Sequence, residues 1–136
     1  MRKLLLTSGV ALLALAACSD KPQGSEATYC TEVGNARDEL ISPNIGTQAD
    51  VDQAVVLYRA LRDSAPLAIE AEWDTLVASV ETAASVVPND PASVQLAADT
   101  ARASQQAATR VNEYTRQLCG VGFTDPTVPQ APPASG

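Results

Sequence analysis

From Thr28 onward the apolar positions of this chain recur every three to four residues, and strand-like alternation is nowhere sustained. The pattern predicts four helices. Tyr29, Val33, Ala36 and Leu40 fall at i, i+4, i+7 and i+11, one stripe on a helix over about residues 27–41, with Cys30 beside it. Gly34 weakens that helix by up to about 1 kcal/mol relative to Ala. Ser42-Pro43-Asn44-Ile45-Gly46 breaks the pattern, and Thr47-Gln48-Ala49-Asp50 reads as a variant capping box opening a second helix. Val51, Val55, Tyr58 and Leu61 point inward on it, and it ends near Ser64. Pro66 suits the first turn of a third helix, reaching about Val87, with Ile69, Trp73, Leu76, Val80 and Ala84 as its stripe. In Pro88-Asn89-Asp90-Pro91, Asp90 can cap a fourth helix and Pro91 can take its first position. Ala97, Ala101, Ala108, Val111 and Leu118 then share a face, and Gly120 stops the helix.

The two ends of the chain lack this periodicity. Arg2 and Lys3 precede an apolar run, Leu4 to Ala14, of signal-peptide length. A membrane-spanning helix needs roughly 20 apolar residues, and this run ends at small residues before Ser19-Asp20-Lys21. Leu15-Ala16-Ala17-Cys18 resembles the lipobox of bacterial lipoproteins: a branched residue, two small residues and the cysteine that is acylated. That resemblance implies cleavage after residue 17 and palmitate-type lipidation at Cys18, which would hold the protein on the extracytoplasmic face of the cell membrane. Two acyl chains, at about 0.8 kcal/mol per buried methylene, give stable anchoring where one is marginal. The ordinary secretory signal with an accidental cysteine is the alternative. Residues 18–26 read as a lipidated flexible tether whose last eight residues span roughly 15 Å. Residues 121–136, with four prolines, read as a disordered tail.

Cleavage would leave 119 residues, enough for one domain, in which seven basic residues face all 16 acidic ones for a net charge of −9. That balance argues against nucleic acid and against adhesion to anionic headgroups, since both reward clustered Lys and Arg. Attachment to the membrane would come from the lipid anchor alone. With Cys18 lipidated, Cys30 and Cys119 remain as an even pair, which outside the cytoplasm reads as a disulfide. Two free thiols or a metal site are the alternatives, and a metal would need ligands from a chain without histidine.

Four helices with short connections predict an all-α, antiparallel four-helix bundle over residues 27–120, closed by a disulfide between the first and last helices. An even number of antiparallel helices brings Cys30 and Cys119 to the same end, whereas three equal helices would hold them a helix length apart. The fourth helix is nearly twice as long as the first, and a bend or break around Ser104 would reconcile them.

Cys30 with Val33, then Ala65-Pro66-Leu67-Ala68-Ile69 leading to Trp73 and Leu76, then Val111, Tyr114 and Cys119-Gly120, resemble a widespread group of small helical lipoproteins from actinobacteria. The likeness covers almost the whole mature domain. It implies fold and location, and no catalytic residue.

The absence of histidine excludes Ser-His and Cys-His nucleophiles and histidine-based metal catalysis. No Gly-rich phosphate loop, GxSxG or Walker motif is present. Glu70, Glu72 and Asp74 form the densest acidic group, with Glu70 and Asp74 on one helix face, and read as a solvated face opposite Trp73. Trp73, Tyr58 and Tyr114 read as core rather than as ligand platforms. In the tail, Pro126-Thr127-Val128-Pro129 and Pro129-Gln130-Ala131-Pro132 fit the PxxP pattern of polyproline recognition. No cofactor is implied. The predicted function is a non-enzymatic module presenting its surface to an envelope protein or polymer. A carrier or sensor of an apolar ligand between the helices is the alternative, requiring an apolar pocket of roughly 300 Å³ or more. A carboxylate enzyme would need two acids converging in one cleft.

Overall fold

The computed structural model describes residues 24–123 and is all-helical: α1 (Glu26–Ile41), α2 (Gln48–Ser64), a 3-10 turn (Leu67–Ile69), α3 (Glu70–Ala84) and α4 (Pro91–Cys119). Local hydrogen bonds set the boundaries. Ser25 Oγ accepts from the Thr28 N–H at 3.1 Å, so Ser25 and Glu26 begin α1 rather than ending the expected tether. At α2 the Asp50 N–H donates to Thr47 Oγ1 (3.3 Å) and the Thr47 N–H donates to Asp50 Oδ2 (2.8 Å), a reciprocal box with Asp in place of the usual Glu. Asp90 Oδ1 accepts from the Ala92 N–H at 3.0 Å, and Pro91 occupies the first helical position. Gly120 ends α4 at φ 71°, where a side chain would be strained.

The third helix departs from the predicted 66–87. Pro66 leads into the 3-10 turn, and Ile69, at φ −132°, interrupts the helical path before α3 starts at Glu70. That offset turns Ile69 into the core while Leu67 stays exposed. The helix then stops at Ala84, three residues early, with the Ser85 N–H closing on Glu81 and Thr82 carbonyls.

Helix α3 packs along both α2 and α4, and α1 rests against α2 and α4. Tyr29, Val33 and Ala36 of α1, Leu61 of α2, Ile69, Trp73 and Leu76, and Ala107 and Val111 of α4 join in one core cluster. Removing a side chain such as Leu61 from water contributes about 1.5–3 kcal/mol, and four stripes meeting at one centre hold the helices together. Val80 and Ala84 are only half-buried.

Helix α4 differs from expectation in two ways. Its buried face carries Ser104, Ala107, Val111 and Thr115, whereas Ala101 and Ala108 are exposed. Alanine and serine differ by one hydroxyl, and Ser104 Oγ satisfies that hydroxyl by donating to the Ala101 carbonyl at 2.8 Å, within hydrogen-bonding distance (3.3 Å) of Ser79 Oγ on α3. Nor does the helix break at Ser104: it runs continuously for 29 residues against 16 in α1, about 44 Å against about 24 Å. The extra length is the N-terminal half, where Val94 and Leu96 stay exposed.

Cys30 and Cys119 are joined by a disulfide with 5.3 Å between Cα atoms, linking the start of α1 to the end of α4. Beyond it, Val121 and Phe123 pack against the core, which corrects the expectation that the tail begins at residue 121. The Phe123 N–H donates to Asn112 Oδ1 at 2.8 Å. Gly122 permits this return path, because a Cβ there would sit 2.8 Å from Cγ of Arg116. Residues 124–136 lie outside the described residues, as do 1–23.

Candidate functional site

Trp73 is the centre of the molecule, 1% exposed, and three rings meet it edge-on: Tyr29 of α1 at 6.4 Å, Tyr58 of α2 at 5.9 Å and Phe123 at 6.1 Å between centroids. Such T-shaped pairs add about 0.5–1.5 kcal/mol each beyond the area they bury. The indole N–H donates to Tyr29 Oη at 3.1 Å, and that hydroxyl shares a 2.7 Å hydrogen bond with Thr115 Oγ1 of α4. All three residues are almost fully buried, so one polar chain ties α3 to α1 to α4 with its indole and hydroxyl groups bonded to one another. Burial raises the Tyr29 phenol above its ordinary value, against the hydrogen bonds from Thr115 and Trp73, and burial alone raises Tyr58.

Two clefts adjoin at Tyr58. The first, about 180 Å³, is bounded mainly by apolar surface from all four helices, Leu40, Tyr58, Leu76 and Ala108 among them, and by Phe123. Its volume is below the roughly 300 Å³ expected of a carrier pocket. The second, about 230 Å³, also reaches Tyr58 and is lined by Glu39, Pro43, Asn44, Asp50, Gln53 and Leu57. The Tyr58 hydroxyl makes no hydrogen bond among the described residues.

The acidic group of α3 is dispersed by its own helix. Glu72 turns toward α4 and pairs with Arg110 at 3.0 Å, while Asp74 turns toward α2 and pairs with Arg62 at 2.7 Å. Two residues apart on a helix is a rotation of about 200°, and α3 has a neighbour on each side to receive one acid. Arg59 of α2 meets Glu81 at 2.6 Å. Exposed ion pairs such as Arg59–Glu81 are worth about 0–1 kcal/mol and orient helices rather than hold them, and of these acids only Glu72 is largely buried.

Two acids do line one cleft, but not those singled out from the sequence. Glu39, near the end of α1, and Asp50, in the first turn of α2, line the same cleft together with Pro43 and Asn44 of the connection between the two helices. Asp50 is legible only as a capping residue, and Glu39 carries no sequence signal at all. Cys18 and the two PxxP segments fall outside the described residues. Among the described residues no helix is long and apolar enough to cross a membrane, and no three potential ligands gather in a metal-binding group.

Compared with known protein families, curated proteins and solved structures, the chain matches none.

Proposed function

We propose that this chain is a lipoprotein precursor whose mature domain, anchored at Cys18 on the extracytoplasmic face of the membrane, is a non-enzymatic module presenting its surface to an envelope protein or polymer. The observation that carries this reading is the pairing of Cys30 with Cys119. It accounts for two of the three cysteines of the chain, and the third, Cys18, directly follows an apolar run and two alanines. The all-helical fold and the Cys30–Cys119 bond support this reading. We further infer an up-down-up-down course for the four helices. Cross-helix contacts support it: residue 48 meets 84, 59 meets 81 and 62 meets 74 between α2 and α3, and 72 meets 110 and 79 meets 104 between α3 and α4.

Cys18→Ala tests the anchor, because the acyl chains are the strong membrane attachment in this reading. Fractionation and intact mass should show a diacylated wild-type protein in the membrane fraction and an unprocessed or released variant. Unmodified Cys18 in mature wild-type protein, or unchanged membrane association of the variant, overturns the reading. Crosslinking the wild-type protein in its native envelope should then capture the partner.

A further inference from the structure

We propose that the two clefts that share Tyr58 form one binding site for a small primary ammonium compound with an aromatic or short alkyl body. This inference does not depend on lipid anchoring, and a single apolar carrier pocket is not what it describes. The apolar cleft of about 180 Å³ takes the body: an apolar cavity of ~150 Å³ in a helical protein holds benzene, so one ring or its alkyl equivalent fits beside Leu40, Leu76 and Phe123. Alone this cleft is smaller than ligand sites usually are, but with the adjoining cleft of about 230 Å³ the volume enters the ~300–1,000 Å³ range of small-molecule sites.

The second cleft selects the head group. Glu39 makes no ion pair or hydrogen bond among the described residues, and both capping bonds to Asp50 fall on Oδ2, so Oδ1 takes no bond there. No basic side chain is among the residues lining that cleft. Two carboxylates facing a cleft without a cation favour a positive head and repel a negative one. The acidic chain, net −7, favours the same sign of ligand over longer range. Tyr58 belongs to both clefts, and its ring can stack on the apolar body or face the ammonium. Its hydroxyl, which makes no hydrogen bond among the described residues, is a further polar group for a ligand there.

Three molecules of one size separate the contributions: 2-phenylethylammonium, neutral 2-phenylethanol and anionic 3-phenylpropionate, each titrated into the purified full-length protein by calorimetry at low salt. The ammonium should bind about tenfold more tightly than the carboxylate, with the alcohol between them. Glu39→Gln, at an exposed position, should reduce that preference by up to about fivefold, and added salt should compress it. Ala108→Leu, on the exposed face of α4, fills the apolar cleft and should abolish binding of all three. Thermal unfolding checks that it folds, and Thr109→Leu is the substitute block if it does not. Equal binding of the three, absence of saturable binding below ~10 mM, or full binding by the cleft-filled variant would each overturn the proposal.

Discussion

At Gly34, on the exposed side of α1, a Cβ would meet nothing within 4 Å. Gly34→Ala should therefore raise stability by about 0.5–1 kcal/mol through helix propensity and a less mobile unfolded chain. The same change at Gly120 should lower it by about 1 kcal/mol or more, because φ is 71° there and alanine resists that region. Thermal midpoints of the two variants should move in opposite directions. Tyr29→Phe keeps the ring but removes the hydroxyl between Trp73 and Thr115, leaving a buried indole N–H and a buried threonine hydroxyl without each other's bridge. The expected cost is about 1–3 kcal/mol, read as a lower urea midpoint with unchanged slope. A loss below ~0.5 kcal/mol would mean that the polar chain is not a structural tie.

Among the elements, α1 depends most on the disulfide. At 16 residues it is little more than half as long as α4, and the bond fixes its N-terminal end to the last turn of α4 across a sequence separation of 89. On the loop-entropy account a closure of that length stabilises the fold by about 4 to 5 kcal/mol. For a described domain of this size each kcal/mol corresponds to about 4–8 °C, so Cys30→Ala/Cys119→Ala should melt some tens of degrees below wild type. Alkylation of the unreduced protein should leave both cysteines unlabelled. The 3-10 turn before α3 shows why element boundaries near proline are hard to read: Pro66 is compatible with a helix start, but Ile69 reaches the core only if the helical path is interrupted.

For the whole molecule, stability should be nearly flat from pH 6 to 8, since the chain has no histidine and Cys30 and Cys119 are oxidised. It should fall above pH 10. Tyr29 and Tyr58 hold their protons more tightly in the folded state than in the unfolded one, chiefly because burial disfavours the phenolate. Between the two values the unfolded chain binds fewer protons, so the stabilisation present below the ordinary phenol value is lost as pH rises through the raised one. Urea titrations at pH 6, 7, 8 and 11 measure this, and a marked transition near neutrality would contradict it.

The sequence by itself determined the helices and most of their limits, since Thr47 with Asp50, Asp90 with Pro91 and Gly120 act through bonds that close within four residues. It also determined the stripes on α1 and α3, because Tyr29, Val33, Trp73 and Leu76 are too apolar and too regularly spaced to face water together. The stripe on α4 holds at Val111 and Leu118, and the tertiary structure alone decided that Ser104, Ala107 and Thr115, rather than Ala101 and Ala108, complete its buried face. There the candidates were alanines, serines and threonines of nearly equal size, and the choice came from contacts with partners distant in sequence: Ser79 for Ser104 and Tyr29 for Thr115. It alone brought Phe123 back over Trp73, through one backbone bond to Asn112 and a glycine that clears Arg116. It alone put Glu39 and Asp50 on one cleft and sent Glu72 and Asp74 to different helices. A local pattern records how each residue faces its own helix, whereas these juxtapositions depend on how separate helices meet.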